Sequence, residues 1–300
     1  MSGSFLAVVN PAAGGGRCGR LAGAAIQKLR SAGIEIEVAE TSAVGDATQL
    51  VRAAYALGQR QFIAVGGDGT AFEIVNGLFP EAARGERPTL GFLPLGTGNS
   101  FLRDFTESGA THALEGILAN RKQACDVLRL EHATGEIFFI NLLSIGFTAD
   151  VTATANRRFK RLGELCYILG VLVCLAQLRR RAFPLRVENE IEFDRRRCLF
   201  LTFNNSKFTG GKMMIAPKAS TSSGLIEYVR WGPIGRLGLL RNFPKLFDGT
   251  HIAHPLASRN AVRRIEFALE APVDVMIDGE VLTLECRKIE VLPGALDVLV

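Results

Sequence analysis

A short glycine-rich motif, Gly66-Gly67-Asp68-Gly69-Thr70, directly follows an apolar run that ends at Val65. Glycines at the end of a strand allow positive φ and let a phosphate approach the backbone amides closely. The helix predicted to begin near Thr70 would direct its positive N-terminal end at the same place. Because Asp68 would repel a bare phosphate, the motif favours a nucleotide that carries a cation, most simply Mg²⁺. The plainer alternative is a helix capping box, since Thr70 and Glu73 have its S/T-x-x-E spacing.

Two further glycine-rich loops follow predicted strands. Residues 10–17 read NPAAGGGR and come after the first strand, and residues 95–99 read LGTGN and come after the fourth. Because the carboxyl ends of parallel strands meet at one edge of a sheet, the three loops are expected to lie together there, where such folds bind ligands. None of them matches the P-loop pattern or a dinucleotide fingerprint with its paired acid, so those two classes of site are disfavoured.

A pair of carboxylates, Asp278 and Glu280, stands on either side of Gly279 at the end of an apolar strand. Phosphoryl transfer to a hydroxyl needs one group to accept the hydroxyl proton and a charge to orient that group. The chemistry of the two carboxylates alone does not separate these roles. The alternative is a structural β-turn, because Asp-Gly is a common hairpin signal.

The elements that would position these residues change in character along the chain. Up to about residue 125, short apolar strands at 5–9, 34–39, 62–65 and 90–93 alternate with helical segments, which predicts a parallel sheet with helices on both faces. Beyond it the pattern predicts antiparallel sheet, interrupted by helices at 161–180 and 234–247. The expected antiparallel strands cover residues 127–131, 136–143, 186–193, 198–204, 224–230, 264–270 and 273–277.

Composition excludes several classes of protein. A chain of 300 residues with 48% hydrophobic and 22% charged residues is globular and long enough for two modest cores. Its net charge of +5 is too small to indicate a nucleic-acid partner. The N-terminus lacks the charged region of a signal peptide, and no apolar run is long enough to span a membrane. The six cysteines and four histidines show no metal-site spacing, so we expect reduced thiols in a cytoplasmic protein.

Taken together, these motifs resemble the diacylglycerol kinase catalytic family, which includes bacterial diacylglycerol and YegS-like lipid kinases and the sphingosine kinases. The resemblance runs in family order from residue 8 almost to the end of the chain. It is carried by VVNP at 8–11, GGDGT at 66–70 with EIVNG at 73–77, PLGTGN at 94–99, IGF at 145–147, GGKM with IAP at 210–217, DGE at 278–280 and VLPGAL at 291–296.

The resemblance implies a fold and an activity. The fold would be an NAD-kinase/diacylglycerol-kinase-like α/β domain with a parallel sheet that binds ATP (residues 1–125), followed by an antiparallel β-sandwich for the lipid (126–287). Residues 288–300 would return to the first domain, and the active site would lie in the cleft between the two. The activity would be ATP- and Mg²⁺-dependent transfer of the γ-phosphate to a hydroxyl of a diacylglycerol-like or sphingoid lipid. Glu280 would accept the proton, with Asp278 as its partner.

Family nucleotide-contact positions carry over to a defined set of residues in this chain. Thr41 also has a plainer interpretation, as a residue at the entry to the helix that follows Gly45 and Asp46. Asp68 is the expected ligand of the Mg²⁺ that accompanies ATP. The full set is Asn10, Pro11, Ala12, Ala13, Gly14, Thr41, Gly67, Asp68, Gly69, Thr70, Ala71, Phe72, Glu73 and Thr97.

The chain departs from the family pattern at three positions near the expected cleft. Ser100 and Thr148 stand where many bacterial relatives have Asp, and Ser223 replaces an acid of the Asp-Asp-Gly loop that holds a structural metal. We therefore predict no metal at that loop, and the identity of the acceptor lipid stays open. Two alternatives remain: a nucleotide- or lipid-binding protein without catalysis, and a kinase of a soluble substrate akin to NAD kinases.

The positive charge of the chain is concentrated in one zone. Residues 157–197 hold eleven basic and five acidic side chains, a net charge of +6, whereas the remainder is close to neutral. Basic clusters at 157–161 and 179–181 flank an apolar stretch at 165–176, a pattern that favours peripheral contact with an anionic membrane. The alternative is a core helix packed on the sandwich with solvated arginines at its ends. The oligomeric state cannot be predicted from these patterns.

Overall fold

The structure is a computed structural model and describes residues 4–96, 98–107, 109–158, 170, 173–210 and 212–300. Its first half is an α/β unit around four parallel strands, in the order β2-β1-β3-β4. The strands are β1 (Phe5–Val9), β2 (Ile36–Glu40), β3 (Gln61–Gly66) and β4 (Thr89–Pro94). The helices are α1 (Arg17–Ser31), α2 (Asp46–Ala56), α3 (Asp68–Leu78) and α4 (Ala110–Leu118), with 3₁₀ turns at Glu81–Ala83 and Phe101–Asp104. The predicted parallel sheet is confirmed.

Each face of this sheet has its own core. Val8 and Phe62 face one side, where they pack with residues of α2 and α3 such as Val51 and Ile74. Residues next to them in sequence, such as Ala7 and Ile63, face the other side and pack against α1. Strands covered on both faces must be apolar at every position, which explains their continuous hydrophobic runs.

The second half is an antiparallel β-sandwich, as predicted. One of its layers is a six-stranded sheet in the order β15-β14-β11-β7-β17-β18, in which every pairing is antiparallel. The strands of this half begin with β5 (Lys122–His132), β6 (Gly135–Phe139), β7 (Leu142–Gly146), β8 (Arg181–Ala182), β9 (Leu185–Val187), β10 (Arg197–Cys198) and β11 (Phe200–Asn204). They continue with β12 (Phe208–Thr209), β13 (Met213–Met214), β14 (Ile226–Trp231), β15 (Ala257–Val262), β16 (Arg264–Phe267), β17 (Val273–Ile277), β18 (Glu280–Leu284) and β19 (Cys286–Leu299).

The last strand, β19, joins the two halves of the molecule. It pairs in parallel with β4 and in antiparallel fashion with β5 and β16, so one nine-stranded sheet runs from the α/β unit into the sandwich. A bulge between Leu292 and Leu296 interrupts the β19–β5 ladder. At this bulge the amide of Gly294, with φ of 56°, donates to the buried carboxylate of Asp126 at 2.8 Å.

A helical layer covers the outer face of the six-stranded sheet. It contains α5 (Phe147–Arg158), α6 (Arg236–Asn242), α7 (Lys245–Asp248) and a 3₁₀ turn at Thr250–Ala253. These elements pack around Trp231, which is fully buried. Among the described residues, no helix has both the length and the apolar character needed to cross a bilayer.

Several predicted elements have different boundaries. The strand expected at 136–143 is two strands, β6 and β7, separated at Ile140 and Asn141, and the strand expected at 186–193 ends at Val187. The helix expected at 234–247 is broken into α6 and α7 because Pro244 cannot continue the first of them. Most of the helix expected at 161–180 lies outside the described residues. Of its described part, 173–176 is helical and 178–180 is not.

Candidate active site

The three glycine-rich loops meet at the carboxyl edge of the parallel strands, where backbone hydrogen bonds join them. The amide of Asp68 donates to the carbonyl of Gly98 at 3.0 Å, and that of Gly96 donates to Gly66 at 2.8 Å. The amide of Asn10 donates to the carbonyl of Val65, also at 3.0 Å. The loops after β1, β3 and β4 therefore form a single backbone surface.

The glycines after β3 serve close packing rather than positive φ, so that part of the prediction is wrong. Gly67 has an ordinary negative φ of −127° and is the N-cap of α3. A Cβ on Gly67 would lie 2.8 Å from the carbonyl oxygen of Gly98, and one on Gly96 would lie 2.8 Å from Gly67 Cα. The loop after β1 differs, because the consecutive glycines 14–16 all have positive φ, between 62° and 84°.

The capping box that was the alternative interpretation of Thr70 and Glu73 does not form. Glu73 Oε1 accepts the amide of Gly45 at 3.1 Å, and Oε2 accepts that of Ala47 at 3.2 Å, so Glu73 caps α2 instead of its own helix. The hydroxyl of Thr70 is buried without a hydrogen-bond partner among the described residues. A buried orphan hydroxyl in the wall of a cleft suits a polar ligand, because leaving such a group unpaired costs about 1–3 kcal/mol.

The contacts of Glu73 also fix the loop between β2 and α2 at the edge of the cleft. Thr41 directly follows β2, where its amide donates to the carbonyl of Val9 at 2.9 Å, so it is not at the entry of α2, whose N-cap is Gly45. Thr41 lines a hollow of about 220 Å³ together with Val44, which is 97% exposed. Val44 was missed from the sequence; its only signal is an apolar residue in an otherwise polar or small turn.

Asp68 lies at the floor of the cleft, with its carboxylate directed at the loop after β4. Its Oδ2 accepts the amide of Ser100 at 2.9 Å. Burial raises the pKa of Asp68, and hydrogen bonds from Ser100 and the amide of Phe101 oppose that rise. Ser100, one of the departures from the family pattern, thus supports Asp68 directly.

The Asp278-Gly279-Glu280 tripeptide is both a hairpin turn and part of the cleft. Asp278 and Gly279 have φ of 48° and 95° and form the two-residue turn between β17 and β18, which is closed by the pairing of Ile277 with Glu280. Positive φ at both central positions is typical of a type I′ turn. The turn faces the loop after β3, because a Cβ on Gly69 would lie 2.9 Å from Glu280 Oε1.

The two carboxylates of the tripeptide, Asp278 and Glu280, lie in different environments. Asp278 is buried, and its two oxygens accept the amides of Ile140, Asn141 and Leu142 at 2.9–3.1 Å. These are the residues at which β6 and β7 separate. Burial raises the pKa of Asp278 to about 7, and the nearby charge of Asp68 adds to this rise, while the three amides oppose it. Glu280 is exposed at the mouth of the cleft, and its carboxylate makes no hydrogen bond to any described residue.

A cleft of about 570 Å³ brings together most of the predicted residues. Thr41 and Ala12 line the adjoining hollow, and Thr97 lies outside the described residues. Two residues of the predicted set do not reach the cleft: Ala71 is buried in the core beside α2, and Pro11 packs against Gly19 of α1. Those that line the cleft are Asn10, Ala13, Gly14, Gly67, Asp68, Gly69, Thr70, Phe72, Glu73, Asp278 and Glu280.

The loop at Ser223 is closed by a carboxylate that the sequence did not single out. Asp126 is buried; its Oδ2 accepts the amide of Gly224 at 2.6 Å, and its Oδ1 accepts that of Gly294. Within the described ranges, no group of three or more His, Cys, Asp or Glu side chains could hold a metal. A nucleotide-borne Mg²⁺ would therefore need phosphate and water ligands beside Asp68, which is the usual arrangement for this ion.

The raised pKa of Asp278 predicts a pH-dependent stability. Its ordinary value is 3.8, so between about pH 4 and 7 the folded protein holds a proton that the unfolded chain releases. Raising the pH through this range therefore favours unfolding. We expect the free energy of unfolding of the wild type, relative to an Asp278→Asn variant, to fall as the pH rises from about 4 to about 7. Urea titrations of both proteins measure this difference in the free energy of unfolding. A difference that stays constant between about pH 4 and 7 contradicts the raised pKa of Asp278.

Comparison with known proteins matches both halves of the chain. Residues 4–130 match the diacylglycerol kinase catalytic domain, and residues 141–300 match the YegS C-terminal NAD kinase beta sandwich-like domain. A diacylglycerol kinase of Mycobacterium tuberculosis is 29% identical over 99% of this chain and 95% of its own length. A Pseudomonas aeruginosa protein named "Probable lipid kinase YegS-like" is 32% identical over 92% of this chain and 88% of its own.

A solved structure has the same fold. A crystal structure of a diacylglycerol kinase from Bacillus anthracis superposes with a TM-score of 0.71 and covers 99% of this chain and 96% of its own. At 21% identity this likeness shows the fold alone. The two family matches and the full-length relatives show more: the chain belongs to the family of diacylglycerol kinases and YegS-like lipid kinases.

Proposed function

We propose that the protein is an ATP- and Mg²⁺-dependent kinase that transfers the γ-phosphate to a hydroxyl of a diacylglycerol-like or sphingoid lipid. One observation carries the proposal: the exposed carboxylate of Glu280 lies next to Gly69, in a cleft that the glycine-rich loops after β1, β3 and β4 also line. This arrangement sets a proton acceptor beside glycine-rich backbone suited to phosphate, as phosphoryl transfer to an alcohol requires.

At the nucleotide end, the loop after β1 supplies positive-φ backbone, where successive amides can converge on an anion. The orphan hydroxyl of Thr70 gains a partner when a phosphate oxygen enters the cleft. The exposed Val44 offers an apolar contact to the base beside the hollow lined by Thr41. Asp68 would hold the Mg²⁺, which when bound neutralises charge on the phosphates.

At the acceptor end, Glu280 takes the proton of the lipid hydroxyl while the hydroxyl oxygen bonds to the γ-phosphorus and the bond from that phosphorus to ADP breaks. Asp278 is a positioning residue, because its three amide contacts leave it tied to the backbone between β6 and β7. By fixing the start of the turn, Asp278 aims Glu280 at the cleft. Thr148, another residue that departs from the family pattern, forms a hydrogen bond with Ser144 of β7.

Peripheral attachment to an anionic membrane belongs to the same proposal, with the protein otherwise in the cytoplasm. Within the basic zone, Arg181 forms an ion pair with Asp150, and Arg180 donates through Nε to the carbonyl of Ile234 at 3.1 Å. Arg179 and Arg180 are exposed. The side chains of the other basic cluster, at 157–161, lie outside the described residues.

The test is incubation of the purified protein with ATP labelled at the γ-phosphate, Mg²⁺ and a panel of acceptors. The panel contains diacylglycerol, a sphingoid base and NAD, and the products are resolved by chromatography. We expect label on one of the two lipids. Label on NAD alone would favour a soluble-substrate kinase. Bound ATP without labelled product would favour a binding protein and contradict the proposal.

A further inference from the structure

The outer face of α6 and α7 exposes large apolar side chains that pack against nothing described. Leu237 is 84% exposed and Leu240 is 59% exposed, and Phe247 on α7 is about half exposed. Residues 237 and 240 are three apart, so they lie on the same side of the helix. Leu239, between them in sequence, is buried against the six-stranded sheet. The exposed leucines are therefore not part of the core that anchors α6.

The charged side chains of this face are mostly positive. Helices α6 and α7 hold Arg236, Arg241 and Lys245 against one carboxylate, Asp248, which accepts hydrogen bonds from Thr250. All three cations are exposed and surround the apolar side chains of α6 and α7. An exposed helix with an apolar stripe and basic flanks is typical of a segment that lies in the interface of a bilayer.

A basic cleft of about 630 Å³ opens beside this face. It is lined by Arg180, Arg197 and Arg236, together with Leu178 and Leu237. The guanidinium of Arg236 donates to the carbonyl of Ala176 at 2.7 Å, which fixes it at the rim. Arg197 forms no ion pair with a described carboxylate, and both it and Arg180 also line a second hollow, of about 560 Å³, with Arg195 and Glu270.

We propose that the α6 surface, defined as Leu237, Leu240, Arg180, Arg197 and Arg236, docks the protein on a bilayer of anionic phospholipids. Headgroup phosphates would occupy the basic cleft, since planar guanidinium groups bind phosphate oxygens in pairs. Leu237 and Leu240 would enter the boundary of the acyl chains. The proposal rests on the proposed function, which requires the enzyme to reach a lipid in a membrane.

Charge decides between a bilayer and a second copy of this chain as the partner. Two copies meeting through the α6 surface about a twofold axis would bring like charges together, with Asp248 as the one carboxylate of α6 and α7 to compensate. An anionic bilayer supplies the opposite charge, and each basic residue near it contributes about 1 kcal/mol. The α6 surface also combines three separate parts of the chain: Arg180, Arg197 and residues 236–240. Of these, only the cluster at 179–181 was expected from the sequence to contact a membrane.

The test is co-sedimentation with vesicles of phosphatidylglycerol and phosphatidylcholine. Its variants are Leu237→Glu combined with Leu240→Glu, and separately Arg197→Glu. The matched controls are Leu57→Glu and Arg84→Glu in the α/β half, since Leu57 is 90% exposed and Arg84 is exposed. We expect each α6-surface variant to lower affinity for phosphatidylglycerol vesicles at least about tenfold, and each control to change it less than about twofold. Unchanged binding of both α6-surface variants, or equal loss in the controls, overturns the proposal.

Two further measurements distinguish a failure of the docking proposal from a failure of the proposed kinase function. Phosphorylation of a lipid dissolved in detergent micelles should be unaffected in the α6-surface variants, because none of the substituted residues lines the active-site cleft. If no lipid is phosphorylated by the wild type but vesicle binding follows the expected pattern, the docking surface stands and the kinase assignment fails. If sedimentation velocity shows that these substitutions change the oligomeric state instead of vesicle binding, the surface is a self-interface and the proposal fails.

Discussion

A Glu280→Gln variant is expected to lose about 10²–10⁴-fold in kcat for lipid phosphorylation while keeping its affinity for ATP. Glutamine has nearly the same shape as glutamate but cannot accept a proton. The carboxylate of Glu280 has no hydrogen bond to any described residue, so the substitution removes no side-chain hydrogen bond that holds the fold. Steady-state kinetics with γ-labelled ATP and equilibrium titration with a fluorescent nucleotide measure the two quantities separately.

The matched control is Glu285→Gln, just beyond β18. Glu285 makes a single ion pair, with Arg287 at 3.9 Å, and does not line the cleft. We expect this variant to keep full activity. If Glu280→Gln also keeps full activity, the assignment of Glu280 as the proton acceptor is wrong, and Asp278 becomes the next group to test.

A Gly67→Ala variant is expected to weaken nucleotide binding at least about tenfold. The added methyl would lie 2.8 Å from the carbonyl oxygen of Gly98, a backbone atom that cannot move without separating the two loops. Overpacking of this kind costs about 1–3 kcal/mol, which is about 5- to 150-fold in affinity when the displaced loops form the site, and a clash with a backbone atom belongs in the upper part of that range. Calorimetric titration with ATP measures the loss directly.

Two other glycine substitutions separate this effect from a general loss of stability. Gly23→Ala in α1 places its methyl in open space and should keep both ATP affinity and thermal stability. Gly69→Ala meets only the flexible carboxylate of Glu280, at 2.9 Å, so it should lower kcat more than ATP affinity. If Gly67→Ala binds ATP as Gly23→Ala does, the joined loops are not the nucleotide site.

The architecture could be predicted from the sequence because the local patterns of strands and helices agree with the way the strands are arranged in the sheet. Short apolar runs such as 62–65, which glycines follow, are typical of strands covered on both faces, and helices between such strands favour a parallel sheet. That sheet in turn places the loops after β1, β3 and β4 at one edge. Fold class and the meeting of the loops therefore followed from periodicity, and the order of the motifs identified the family.

What could not be predicted depends on contacts between residues far apart in sequence. The break between β6 and β7 has no strong local signal, yet its amides determine the environment of Asp278, some 136 residues later. Glu73 has capping-box spacing but binds the amides of α2, because that helix lies beside α3. The α6 surface likewise exists only after α6 packs next to residues 178–180 and 197.

One measurement tests the central claim most directly: ADP and phosphorylated lipid quantified in the same reaction, with wild type and Glu280→Gln in parallel. The account predicts that the wild type forms labelled lipid in equal amounts with ADP, only when Mg²⁺ and a hydroxyl lipid are present, and that Glu280→Gln forms both products about 10²–10⁴-fold more slowly. ADP released without labelled lipid, or labelled lipid formed equally by both proteins, would contradict it.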